Sequence, residues 1–334
     1  MTAAPPERPG RATRTDTVWA RLKRSRPAMI GLGLVVFFVL LAVLAPVFAA
    51  LTGNSPYAYN PELLAPDTAP AGPLGGMSAQ HWFGVEPRTG RDLFAIVSYG
   101  AQVSLLIGLA ATLVSVIVGV AIGLIAGFYG HLADRLLSRF TDIVFGFPFL
   151  IFAIALSATV PASFPRPLLL ILVIGFFGWP PVARVVRSET LSLKERGFVR
   201  AAAAQGTSSA RILVREILPN LAATIIVFTT VSIPGKIGAE AALSFLGVGV
   251  NPPTPSWGRS ISDAISWVQV DPMYLIFPGM ALFLVTLGFN MFGDGLRDAL
   301  DPTAGQGPDR SADRSPDRGP DTPKIDPMSA GGQP

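Results

Sequence analysis

Residues 103–129 read VSLLIGLAATLVSVIVGVAIGLIAGFY, a run with no Asp, Glu, Lys or Arg. As a helix rising 1.5 Å per residue it is about 40 Å long, more than the ~30 Å hydrocarbon core of a bilayer. A charge or an unpaired backbone group is expensive in hydrocarbon, so such a run reads as a membrane-crossing helix. Five more apolar windows flank it: Ala28–Leu51, the interval between Asp142 and Arg166, the shorter one between Arg166 and Arg184, Leu221 to about Glu240, and Met273–Phe292. A further window, Ala241–Gly258, holds Asn251, Pro252, Pro253 and Pro255 and reads as an extramembrane or re-entrant loop. The fold expected is an all-α polytopic membrane protein with six transmembrane helices.

Composition agrees. Of 334 residues, 50% are hydrophobic and 14% charged, against about 25% charged in soluble domains, which excludes an ordinary soluble enzyme. A net charge of +4 and a pI near 9.7 would suit nucleic acid, but the basic residues are not distributed for it. They concentrate in 1–27, 129–142, 184–216 and 294–334, leaving Arg88, Arg91, Arg166, Lys236 and Arg259 in the alternate segments. By the positive-inside rule both termini lie in the cytoplasm, the expected neighbour is a lipid bilayer, and no nucleic acid is expected. Zero Cys excludes disulfides and a thiolate nucleophile.

The expected organisation starts with a cytoplasmic segment, 1–27. There Val18, Trp19 and Leu22, interleaved with Arg21, Lys23, Arg24 and Arg26, suggest a short interfacial helix. Its first span, 28–51, is too long for the ~7–15-residue core of a secretory signal and is read as uncleaved. An extracytoplasmic segment, 52–92, precedes a core of five spans, 93–302, with a cytoplasmic loop at 184–220. A tail, 303–334, has Asp309, Asp313, Asp317 and Asp321 among Arg, Pro and Gly and is expected to be disordered.

Catalytic motifs are missing. The only Gly-Lys pair, Gly235-Lys236, lacks the rest of a P-loop, and His81 and His131 stand outside any zinc motif. No cofactor is expected on this chain, and it is not expected to be an enzyme. The window interiors read as free of ionisable groups, which disfavours a self-powered carrier. Lys236 and Glu240 are placed instead toward the outer mouth, four residues apart on one helical face unless Pro234-Gly235 breaks the helix, as residues of the translocation pathway. Gly119, Gly123 and Gly127 line one face of the second span and permit close helix packing.

The segment Arg184–Asn220 is written as helix rather than linker. Ala201–Ala204 favours helix, Gly206 ends it, and Thr207, Ser208 or Ser209 can cap a second helix reaching Leu218, with Pro219 marking entry to the fifth span. Two short helices held beneath a membrane by a chain with no motor suggest a docking knob for a soluble partner.

Phe198-Val199-Arg200-Ala201-Ala202-Ala203-Ala204-Gln205-Gly206, followed by Ile217-Leu218-Pro219-Asn220, resembles the EAA loop of binding-protein-dependent ABC importer permeases. Arg200 stands where that motif has its Glu, and Glu216 where a His is frequent. His81-Trp82-Phe83-Gly84, Gly90-Arg91-Asp92, Tyr99-Gly100-Ala101, Glu240–Gly247, Pro252–Gly258 and Gly293–Pro302 look like C-subunit dipeptide/oligopeptide permeases, a group whose close relatives carry nickel. The resemblance implies a MetI-like core in the bacterial inner membrane and a homologous second permease. It also implies two ATPase subunits that use ATP and Mg, an extracytoplasmic binding protein and a peptide substrate. The ATPase-coupling residues it implies are Arg200, Ala201, Ala202, Gly206, Leu218, Pro219 and Asn220. Gly206 and Glu86 are then expected on opposite sides of the membrane.

Overall fold

The computed structural model describes residues 17–161 and 163–300. The expected tail at 303–334, and the first part of the expected N-terminal segment, lie outside the described residues. Described elements are α1 (Val18–Arg24), α2 (Arg26–Thr52), α3 (Leu93–Tyr129), α4 (His131–Gly146), α5 (Phe149–Thr159), α6 (Arg166–Lys194), α7 (Gly197–Ala204), α8 (Ser209–Ile212), α9 (Leu218–Phe245), α10 (Trp257–Ala264) and α11 (Met273–Leu300). The described residues contain no strand, only two isolated β-bridges.

Five stretches, Arg26–Thr52, Leu93–Tyr129, Arg166–Lys194, Ser209–Phe245 and Met273–Leu300, are long and apolar enough to cross a membrane. The interval between Asp142 and Arg166 is not the single straight span expected. It is a bent pair, α4 and α5, meeting at 78°. Phe147 is extended at the joint (ψ 134) because Pro148 follows it. With 11 residues, α5 is only about 16 Å long.

Connectivity nonetheless makes this pair a crossing. The glycines Gly119, Gly123 and Gly127 of α3 face Val182, Val186 and Thr190 of α6 in ascending order, so α3 and α6 run parallel. The chain must therefore return between Tyr129 and Arg166, and α4–α5 carries it back. A Cβ at Gly119, Gly123 or Gly127 would lie 2.6, 2.7 and 2.7 Å from atoms of α6. Only glycine lets the backbones close to this separation. Gly31 of α2 and Gly288 of α11 repeat the device, with a Gly31 Cβ falling 2.7 Å from the Gly288 carbonyl.

The bundle has two ends. At one, Leu22 of α1 packs beside Ala28 and Ala299, and Lys194 donates to the Phe128 carbonyl at 2.7 Å; the 195–217 loop is here. The other carries residues 53–92 and the 246–256 connection. Asp92 caps α3 by accepting from the Ala95 N–H at 2.7 Å and is held by His81 (2.8 Å) and Asn54 (3.1 Å). Gly90, at φ +67, abuts the Asn60 carbonyl, where a side chain would collide. This is the physical content of the Gly90-Arg91-Asp92 motif.

Candidate functional site

The loop between α6 and α9 is built on a buried platform. Val199, Ile212, Ile217 and Leu221 pack with Val182 and Val186 of α6, and Ala202 and Leu213 rest against them. The end of α7 is closed by two backbone bonds, the Thr207 N–H to the Ala202 carbonyl and the Gly206 N–H to the Ala203 carbonyl. Gly206 is left-handed at φ +76, the arrangement in which glycine ends a helix and its last carbonyls are satisfied.

The sequence-expected residues separate on this scaffold. Ala201, Gly206, Pro219 and Asn220 are exposed, whereas Ala202 and Leu218 are half-buried, with Ala202 turned toward the platform. Arg200 is exposed and donates to Glu195. Asn220 caps back onto the Glu216 carbonyl at 2.6 Å. The outward face is thus short side chains at Ala201, Ala203 and Ala204, with Gln205 exposed beside Gly206.

One expectation here needs correcting. The second short helix does not stop before the fifth span: α8 passes through a π turn, Leu213–Ile217, directly into α9. The wider turn carries the chain to Pro219, which has no N–H to donate. Loop and span form one continuous helical rod.

Lys236 and Glu240 also differ from expectation. Pro234 lies inside α9 without ending it, so both residues belong to the helical span, and the window interiors are not free of ionisable groups. No ion pair joins them. Glu240 is fully buried and accepts from Ser104 (2.7 Å), Ser244 (2.8 Å) and Ser256 (2.8 Å). Those three serines come from α3, α9 and the connection before α10, so Glu240 clamps three elements and lines no opening. The sequence places the acid but not the three hydroxyls that surround it.

Lys236 turns the other way, toward α6. A Cβ on Gly178 would overlap both Lys236 Nζ and Ser115 Oγ, so the ammonium occupies the space left by that glycine. The surrounding cavity of about 260 Å³ is lined by Phe145, Phe147, Phe149 and Phe177, together with Ser232 and Gly235. Pro180 and Pro181 deny the α6 carbonyls of Phe176 and Phe177 their usual helical donors.

At the far end sits an ion cluster that the sequence analysis missed. Arg91 pairs with Glu86 through two hydrogen bonds, 2.6 and 2.9 Å, while Tyr274 donates to Glu86 at 2.6 Å and Arg91 reaches the Pro253 carbonyl at 3.1 Å. Burial pushes the Glu86 carboxyl up, but Arg91, Thr89 and Tyr274 outweigh it and hold the group below its ordinary range. This cluster ties the 53–92 segment to α11 and to the 246–256 connection. It also buries Glu86, so that position is unsuited to surface labelling.

The comparisons with known proteins bear on this arrangement directly. Residues 119–306 match the family model of the binding-protein-dependent transport system inner membrane component, and residues 13–70 match the N-terminal transmembrane domain of oligopeptide transport permease C. The chain belongs to the binding-protein-dependent transport permeases. It is 42% identical to a dipeptide transport system permease protein of Alkalihalophilus pseudofirmus, over 84% of this chain and 88% of that one. It is 38% identical to a glutathione transport system permease protein of Escherichia coli, over 85% and 89%. An inward-facing structure of the MetNI methionine ABC transporter aligns with TM-score 0.50 at 17% identity, over 62% of this chain and 96% of that chain, which fixes the shared fold. The protein is a permease component of an ABC importer in the bacterial inner membrane, a transport subunit of the same kind as its relatives.

Proposed function

We propose that this permease forms half of a translocation pore for short peptides and takes its drive from separate ATPase subunits docking on α7 and α8. The other half is a homologous second permease, and an extracytoplasmic binding protein delivers the peptide. ATP and Mg are used by two ATPase subunits. The peptide cargo is supported by the relatives, whose named substrates are a dipeptide and glutathione.

The observation that carries this reading is the loop geometry. An exposed Ala-rich face, Ala201, Ala203 and Ala204, sits on a buried platform that is continuous with α6 and, through the π turn, with α9. Displacement of α7 by a docked partner is therefore delivered to the helix bearing Lys236 and Glu240. Packed elements of this kind shift between discrete arrangements rather than deforming gradually, which suits alternation between inward and outward access.

On this reading the 195–217 end faces the cytoplasm. Single Cys substitutions test it cleanly because the native chain has none. Ala79 and Ala204 are both exposed, at opposite ends of the bundle. A membrane-impermeant thiol reagent added to intact cells or spheroplasts is expected to label Ala79→Cys and spare Ala204→Cys. The opposite pattern would invert the orientation and remove the loop from the ATPase side.

A further inference from the structure

Lys236 carries its charge to mid-height of the helical layer. Gly178, which its ammonium abuts, lies about 18 Å from the start of α6 and about 24 Å from its end. An ionisable group at that depth is costly and is ordinarily paired or turned to a water-filled path. Lys236 makes no hydrogen bond or ion pair with any described residue, although Glu240 lies one turn away, because three serines already occupy that carboxylate. The charge is thus left over at the edge of a cavity whose other wall is aromatic.

Three features of this cavity suit one end of a peptide. The unpaired ammonium provides a positive charge for a carboxylate. Ser232 adds a hydroxyl on the cavity wall, and the phenylalanines offer a face to an apolar side chain. At about 260 Å³ the cavity is smaller than the ~300–1,000 Å³ of whole-ligand pockets, so it fits a terminal residue and not an entire oligopeptide.

We propose that Lys236, seated against Gly178 between the Phe-lined wall and α9, binds the terminal carboxylate of the peptide in transit. The inference rests on the peptide reading given above. It makes Lys236 a specificity-determining residue of the pathway, and the unpaired charge becomes the reason a carboxylate is drawn to mid-height of the bundle. Release follows when the two halves of the pore move apart and water reaches the ammonium.

The test uses the complete complex in proteoliposomes and compares uptake of a dipeptide with that of its C-terminal amide. Lys236→Met is expected to lower uptake of the free-carboxylate peptide at least ~10-fold and that of the amide much less, while Lys236→Arg keeps the parental ratio. Ser232→Cys, on the cavity wall with Lys236 left in place, supplies a second reading that needs no amide transport: a saturating dipeptide is expected to slow its thiol labelling several-fold, and the amide to slow it less. If Lys236→Met fails to assemble, the labelling result decides. Equal losses for both peptides, or labelling indifferent to peptide, would show that the charge serves a structural contact or pairs with an acid of the second permease, and would overturn the proposal. If the parent complex takes up no peptide at all, the cargo reading itself fails, a result distinct from a parent that transports peptide with an unchanged carboxylate preference in Lys236→Met.

Discussion

Ala201→Asp is expected to abolish peptide uptake and ATPase co-purification while leaving the helical bundle assembled. Ala201 is exposed on the outward face of α7, so an aspartate there unfolds nothing while the subunit is alone. Once a partner closes over that face the carboxylate is buried without a counter-charge, and an uncompensated buried charge costs about 3–5 kcal/mol, more than ~100-fold in binding. Retained expression and thermal melting of the permease, with co-purification of the ATPases lost, would mark the effect as docking. Ala202→Asp is the less informative variant, since Ala202 packs onto the platform with Leu213 and a charge there damages the loop itself. Normal uptake by Ala201→Asp would remove α7 as the coupling element.

Trp257→Ala is expected to cost about 3–5 kcal/mol of stability, a large share of the ~5–15 kcal/mol that holds a typical fold. Trp257 is fully buried, and its indole N–H donates to the Val97 carbonyl at 2.9 Å. It meets Phe38 edge-on at 5.7 Å, and its ring fills the notch at Gly100, where a Cβ would stand 2.9 Å from it. One side chain thereby joins α2, α3 and α10. Truncation leaves a cavity among helices that small residues have already brought to their closest approach, with little scope for collapse. A marked fall in the melting temperature of the solubilised complex, with reduced accumulation in the membrane, is the expected result; melting unchanged from the parent would show that the three helices are held elsewhere.

The parts legible in the sequence are those encoded by one helix at a time. Gly119, Gly123 and Gly127 announce a packing face by their four-residue spacing alone, and the structure supplies only the partner, Val182, Val186 and Thr190 of α6. Ala201–Ala204 and Gly206 likewise carry the helix and its end within one local stretch. What was not legible depends on residues distant in the chain. Glu240 reads as a mouth residue until Ser104 and Ser256 are brought to it, and so does Lys236 until the space over Gly178 is seen to hold its ammonium. The break in the third span turned on Phe147-Pro148, a local signal outweighed by the apolar run around it. The π turn before Pro219 has no compositional signature.

Under the proposed function this chain moves solute only when driven through its 195–217 loop by an ATP-hydrolysing partner. The most direct measurement is uptake of a labelled dipeptide into proteoliposomes holding the permease pair and ATPases, with binding protein outside and nucleotide sealed inside. Uptake is expected with ATP and Mg in the lumen of vesicles whose loop end faces inward, and to stop with a non-hydrolysable analogue or without binding protein. Uptake of the same size by the permease alone, driven by an ion gradient and indifferent to ATP, would contradict it.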